Sequence, residues 1–212
     1  MKPLFRVALV ALMCAPLARP AAAQANGGDH PYKWYWGGQA GALLYRTNAQ
    51  KWYFDPVVGV HWMITRKRGA LTVGGEEAFF TSDATAGVTD FTTGTGYTVA
   101  FSKVRRIFAG LIAYPLPGHL EPIFGGGIGL NTVVDPRPNS AAGQFAADEA
   151  SNWANFWLLG GIQINVGNLA VYGQYVLGTS ASNKLLRNEQ HSIQGGVRYA
   201  LGKAREDVQS SH

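Results

Sequence analysis

The chain has 212 residues, only 15% of them charged, with 27 glycines, six tryptophans, nine tyrosines, ten phenylalanines and a single cysteine. The formal charge of +5 is a small excess, not the concentrated basic face that nucleic-acid binding requires. One cysteine excludes an internal disulfide framework, and the low charged fraction sets the chain apart from ordinary soluble domains, which carry about 25%.

At the N-terminus, MKPLFRVALVALMCAPLARPAAAQ sets Lys2 and Arg6 before an apolar run from Val7 to Ala18 and a small-residue site, Ala21-Ala22-Ala23. This is the pattern of a secretory signal peptide. The apolar run is about a dozen residues, well short of the roughly 20 that a membrane-spanning helix needs. Cleavage of residues 1–23 removes Lys2, Arg6 and Arg19 and no acid, which takes the formal charge from +5 to +2. It also removes Cys14, so the mature chain offers no thiol for metal or redox chemistry. Met13 stands before Cys14, where a lipidated cysteine follows a small residue. Residues 24–33 are expected to be an N-terminal periplasmic segment and residues 203–212 a polar C-terminal tail.

Between them the sequence predicts eight strands: WYWGGQAGALLYR (34–46), VVGVHWMIT (57–65), ALTVGGEEAFF (70–80), YTVAFSKVRRIFAGLIAY (97–114), LEPIFGGGIGLNT (120–132), WANFWLLGGIQIN (153–165), LAVYGQYVLG (169–178) and HSIQGGVRYALG (191–202). Most are near the 9 to 11 residues of a tilted transmembrane strand. Their connections alternate in length. RKRG, PLPGH and VGN are tight turns, whereas residues 81–96, 133–151 and 179–190 are long and polar. Such parity puts every short turn on one side of a membrane and every long loop on the other.

Alternation within the strands agrees. Phe156, Leu158, Ile162 and Ile164 share one face, as do Leu169, Val171, Tyr175 and Leu177, and as do Trp34, Trp36, Ala40, Ala42 and Leu44. The opposite faces carry Gln163 and Asn165 with Trp157 and Leu159, then Tyr172 and Gln174, then Tyr35, Gln39 and Tyr45. Aromatics at the segment ends predict two interfacial girdles: Trp34, Trp36, Tyr114 and Tyr199 by the short turns, and Tyr45, Phe79, Phe80, Tyr97 and Trp153 by the long loops. The third strand fits poorly, because strict alternation puts Glu77 on the lipid face with Leu71 and Val73. Either Glu77 lies at headgroup level or a bulge at Gly74-Gly75 resets the register.

Eight strands, short turns on one side, a signal peptide and a glycine-rich GGVRY in the last strand resemble the small OmpA/OmpX-like outer-membrane β-barrels of Gram-negative bacteria, over residues 34–202. The resemblance implies an all-β, eight-stranded antiparallel up-and-down transmembrane β-barrel, with long loops extracellular and termini periplasmic. It also implies a last strand read by the barrel assembly machinery through a terminal aromatic. Here that strand ends VRYALG before KAREDVQSSH, so Tyr199 and Leu201 are the nearest candidates.

A barrel of this strand number is only wide enough for its own side chains to fill it. Its lumen is expected to hold Gln39, His61, Glu76, Arg106, Glu121, Gln163, Gln174, Gln194 and Arg198, with Ser192, as a polar plug. Glu76 and Glu121 are the acids available to Arg106 and Arg198. FGGGIGL (124–130) lacks the spacing of a phosphate loop, and its glycines 125, 127 and 129 read as space for neighbouring lumen side chains. Asp83, Asp90, Asp135, Asp148 and Glu149 are too scattered for a calcium site and read as solvated surface. In EQHS (189–192), adjacent His191 and Ser192 point to opposite faces, and His61 could meet Ser102 only across the lumen. The sequence therefore predicts a monomeric, non-enzymatic barrel with a structural or surface-interaction role, without cofactor or metal. Its expected partners are outer-membrane lipid, the assembly machinery and an extracellular ligand at the long loops. The alternatives are a membrane-embedded lipid-modifying enzyme and a soluble periplasmic barrel that binds a small apolar ligand.

Overall fold

Successive side chains of a strand point to opposite faces, so an alternating sequence makes a two-sided sheet. In the computed structural model, which describes residues 32–47, 52–116, 118–180 and 183–204, that sheet closes on itself. Its strands are β1 (Tyr32–Thr47), β2 (Trp52–Arg66), β3 (Gly69–Thr89), β4 (Gly96–Ala113), β5 (Leu120–Val134), β6 (Asn152–Val166), β7 (Leu169–Gly178) and β8 (Leu186–Ala204). Each pairs antiparallel with its neighbours in sequence, and β8 pairs with β1 along most of its length. The closed barrel leaves no free edge. It begins two residues before Trp34 and ends two beyond Gly202; the signal peptide (1–23), most of segment 24–33 and residues 205–212 of the tail lie outside the described residues.

The outward face is apolar from strand to strand. Val58 and Val60, Leu71 and Val73, Ile107 and Leu111, Ile128 and Leu130, Phe156 and Leu158, Val171 and Tyr175, and Ile193 and Val197 are all exposed. The inward face buries glutamines, a glutamate, a histidine and two arginines. This is the reverse of a water-soluble sheet, and it is the pattern of a barrel set in lipid.

Glu77 keeps its outward place. The β2–β3 register is unbroken from Gly69 to Ala78 and the β3–β4 register from Gly69 to Phe79, so no bulge forms at Gly74-Gly75. The Glu77 carboxylate instead accepts two hydrogen bonds from Arg105, from Nε at 3.0 Å and from Nη2 at 2.8 Å. An ion pair on the outer face marks the loop-end border of the apolar belt.

The girdles are built differently from expectation. Tyr45, Trp153 and Tyr114 are buried inside, and Tyr97 packs against the interior. Proximity to a strand end does not set the face; parity does, and Tyr45 shares that of Gln39 and Trp153 that of Gln163. Outward aromatics at the turn end include Trp34, Trp36 and Tyr199, and at the loop end Trp52, Phe54 and Phe79; the side chain of Phe80 lies outside the described residues.

The segment 81–96 is mostly not a loop. Strand β3 runs on to Thr89 and forms a hairpin with β4, closed by residues 90–95. Residues 80–83 of β3 oppose only Ser102 of β4, and this bulge redirects the hairpin. At its tip the Asp90 carboxylate accepts the backbone N–H of Thr92 at 2.8 Å, which holds its pKa below the usual carboxylate value. Beyond β5, Arg137–Pro138 pair with β4, and helix α1 (Gln144–Ser151) follows. Ala146, Ala147 and Ala150 of α1 join Ala84, Ala86, Val99, Phe101, Leu185 and Leu186 in an apolar cluster. The cluster packs onto the inward-facing Leu43, Tyr45, Val57 and Val104. Segments expected to be solvated loops thus form a folded cap, and Asp83 is ion-paired to Arg137 at 2.6 Å.

Candidate functional site

The inward side chains of all eight strands converge on the lumen. Near its middle, Arg106 of β4 meets Glu76 of β3, Nη2 to Oε1 at 2.6 Å, with both side chains almost wholly buried. The second carboxylate oxygen of Glu76 accepts hydrogen bonds from Gln39 Nε2 at 3.0 Å and Gln194 Nε2 at 2.9 Å. Gln174 Nε2 donates to Gln194 Oε1 at 2.9 Å, and the Tyr172 hydroxyl donates to Gln39 Oε1 at 3.0 Å. One carboxylate thus gathers three donors, as a buried charge requires.

Arg198 is held otherwise than expected. It is 2% exposed, yet among the described residues no carboxylate lies within ion-pair distance of it. Its Nε donates to His61 Nε2 at 3.0 Å, its Nη1 donates to Gln163 Oε1 at 2.6 Å, and its guanidinium lies 3.9 Å over the Tyr172 ring. Gln163 leads on to Glu121 at 3.5 Å and to Asn165 at 2.8 Å. A planar guanidinium can be satisfied by neutral acceptors and an aromatic face, which a lysine ammonium could not match. Glu121 therefore reaches Arg198 only through Gln163.

All nine sequence-predicted lumen residues belong to this arrangement. Tyr172 joins its two halves, between Gln39 and Arg198, and was legible only as an inward position beside Gln174. Between Gln39, His61, Arg106 and Arg198 the free space is about 20 Å³, room for about one water molecule.

Glycines make that density possible. Across strands, Gly37 faces His61, Gly127 faces Trp157 and Gly196 faces Tyr172. A Cβ on Gly127 would stand 2.8 Å from the Trp157 ring and 2.6 Å from the Gly110 Cα, and one on Gly196 would stand 2.6 Å from Tyr172 Cζ. Each of these three glycines is the slot for a large ring on the next strand.

The histidine and serine pairs are not assembled. Ser192 is buried and donates to the Ala42 carbonyl at 3.1 Å, whereas His191 lies on the outer face against the Tyr175 hydroxyl. His61 bonds Arg198, and Ser102 stands opposite the β3 bulge. At the loop end, Val88, Phe91, Glu149, Ala150, Lys184 and Arg187 line a groove of about 240 Å³.

No protein family matches the sequence, and no curated protein does. Solved structures match the fold. Neisserial surface protein A (NspA) is 12% identical, with 78% of this chain and 96% of that one covered, at a TM-score of 0.58. Ail, the attachment invasion locus protein of Yersinia pestis, is 10% identical over 81% and 99%, at 0.48. The outer membrane enzyme PagL is 14% identical over 76% and 98%, at 0.38. The likeness to NspA is one of fold: this chain is a closed eight-stranded antiparallel barrel similar to that of the Neisserial protein. The lower two scores carry no argument about activity.

Proposed function

We propose that the chain is a bacterial outer-membrane barrel with a plugged lumen and a structural or surface-interaction role, its capped end facing the cell exterior and its short turns the periplasm. The observation that carries this reading is the inversion of the sheet: a continuous apolar outer face around an interior that buries charged and amide side chains beside an apolar cluster. A soluble barrel would leave that whole aliphatic belt in water. The Glu76 and Arg198 networks serve as a structural plug, because their groups are bonded to one another and leave no channel at that level. The outward His191 and inward Ser192 favour a non-enzymatic role. In cell fractionation the protein is expected in the detergent-soluble envelope fraction, with a folded band that shifts on heating; release by salt alone would refute the membrane assignment.

Orientation is open to single-cysteine labelling, since Cys14 is the chain's one cysteine. In a Cys14→Ser background, Phe91→Cys, at a position 76% exposed at the capped end, should react with an impermeant maleimide on intact cells. Lys67→Cys, in the β2–β3 turn, should react only after permeabilisation. The opposite pattern would invert the topology.

Facing is open to a charge scan. Val171 is 44% exposed on the outer face and Gln174 is buried. Val171→Arg is expected to destabilise the inserted barrel by about 2 to 4 kcal/mol, and Gln174→Ala by about 1 kcal/mol for its lost hydrogen bond. Urea titration in lipid bicelles measures both, and equal losses would contradict the assigned faces.

A further inference from the structure

Cations at the turn end are gathered in one sector. The β2–β3 turn sets Arg66, Lys67 and Arg68 in succession, and Lys33 of β1 is in register with Thr65 beside them; all four are exposed. The other two turns at this end, residues 114–119 and 167–168, contain no lysine, arginine, aspartate or glutamate. Among the described residues no carboxylate pairs with any of the four cations. Arg66 stacks over the Tyr32 ring at 4.9 Å, and Arg68 reaches only the Pro115 carbonyl at 3.5 Å.

Directly along the outer face from these cations stand Trp34 and Trp62, edge-on at 5.0 Å, with exposed Trp36 beside them. Indoles settle at the headgroup level of a bilayer, and cations just beyond them stand at the phosphates. The backbone adds an independent observation. Lys67 has φ +52°, and the equivalent first position of the two-residue β6–β7 turn is Gly167, with φ +63°. That conformation costs an L side chain about 1 to 2 kcal/mol and glycine almost nothing. The β2–β3 turn thus retains a lysine where the same geometry elsewhere takes glycine, and three cations stay consecutive.

We propose that Lys33, Arg66, Lys67 and Arg68, above Trp34 and Trp62, form a binding surface for the anionic headgroup of a phospholipid in the leaflet at the turn end. The proposal rests on the membrane-spanning reading above. A ligand here must lie with apolar chains along the Leu71 and Val73 side of the belt and place negative charge at the rim, which a diacyl lipid of net negative charge does. A zwitterionic headgroup brings its own cation and gains less from the sector.

The tryptophans provide the readout. In a Trp52→Phe background the lipid-facing indoles are all at the turn end, since Trp153 and Trp157 are buried. The barrel is reconstituted in phosphatidylcholine vesicles that contain equal mole fractions of either chain-brominated phosphatidylglycerol or chain-brominated phosphatidylcholine. The anionic lipid is expected to quench as though enriched roughly fivefold at the protein surface, and the excess should fade in about 0.5 M salt. Arg66→Gln/Lys67→Gln/Arg68→Gln should quench equally with both lipids while it retains its heat-modifiable band. Lys103→Gln, at the loop end, should keep the preference. Equal quenching of the unmodified sector, or an unchanged preference in the triple variant, would overturn the proposal. Quenching by neither lipid would show that the barrel is not in the bilayer, and would overturn the spanning reading with it.

Discussion

Replacement of Glu76 by leucine is expected to lower the stability of the folded barrel by about 3 to 5 kcal/mol. The loss comes from what remains behind. Arg106 is buried and would keep its charge with no carboxylate at hand, and the Gln39 and Gln194 amides would each lose an acceptor. The double variant Glu76→Leu/Arg106→Leu removes both charges, and buried ion pairs replaced by apolar side chains are often neutral in stability. It should therefore recover a large part of the loss, though not the part due to the two glutamines. Urea unfolding in detergent micelles gives the cycle. A double variant no more stable than Glu76→Leu would mean that the pair matters through packing, not charge.

A comparable loss, roughly 3 kcal/mol, is expected for Gly127→Val, which should yield little heat-modifiable protein. Its Cβ alone would meet the Gly110 Cα and the Trp157 ring well inside contact distance, and on the opposing side the Ala109 carbonyl. The surrounding backbone is held by ladders on both sides and has no room to yield. Gly38→Val is the matched control. Its side chain would point outward into open space, with no atom within 4 Å. In lipid an added apolar, β-branched group at that position should be neutral or mildly favourable. Similar yields for the two variants would contradict the division into inner and outer glycines.

The division itself was readable in advance, because a period of two is a local property. Val171 against Gln174, or Ile193 against Gln194, fixes a face without knowledge of any partner. What the sequence could not disclose depends on register. That Gly127 stands opposite Trp157, or Gly196 opposite Tyr172, follows from how far one strand slides along another, and nothing within either strand states it. For the same reason Arg198 was matched to an acid by charge alone, while the register sets it against His61, Gln163 and the face of Tyr172. The cap escaped for a different reason. Its helix buries only alanines and a serine, and its other apolar members, Ala84 and Ala86, Phe101, and Leu185 and Leu186, come from three separate stretches of chain. Small residues in a polar stretch read as loop until the surface they cover is known. Glu77 is the converse: the alternation was right, and Arg105 on the neighbouring strand supplies the reason it can stand.

The bonds of the lumen join residues far apart along the chain: Tyr172 to Gln39 across 133 positions, Arg198 to His61 across 137 and Gln194 to Glu76 across 118. None of these can exist in a sheet that is still open between β1 and β8. Glu76 with Arg106 on the adjacent strand, and with Gln39 two strands away on the same side of the seam, is available early, but Gln194 arrives only when the seam shuts. Until then the inner amides and the Arg198 guanidinium keep their water, and the chain has met the entropy of a long loop without the contacts that reward it. Dehydration of the lumen, burial of Arg198 and joining of the two ends of the sheet thus coincide in one late event. A sheet complete but for this seam therefore lacks all three of these long-range bonds, however many strands it has already paired.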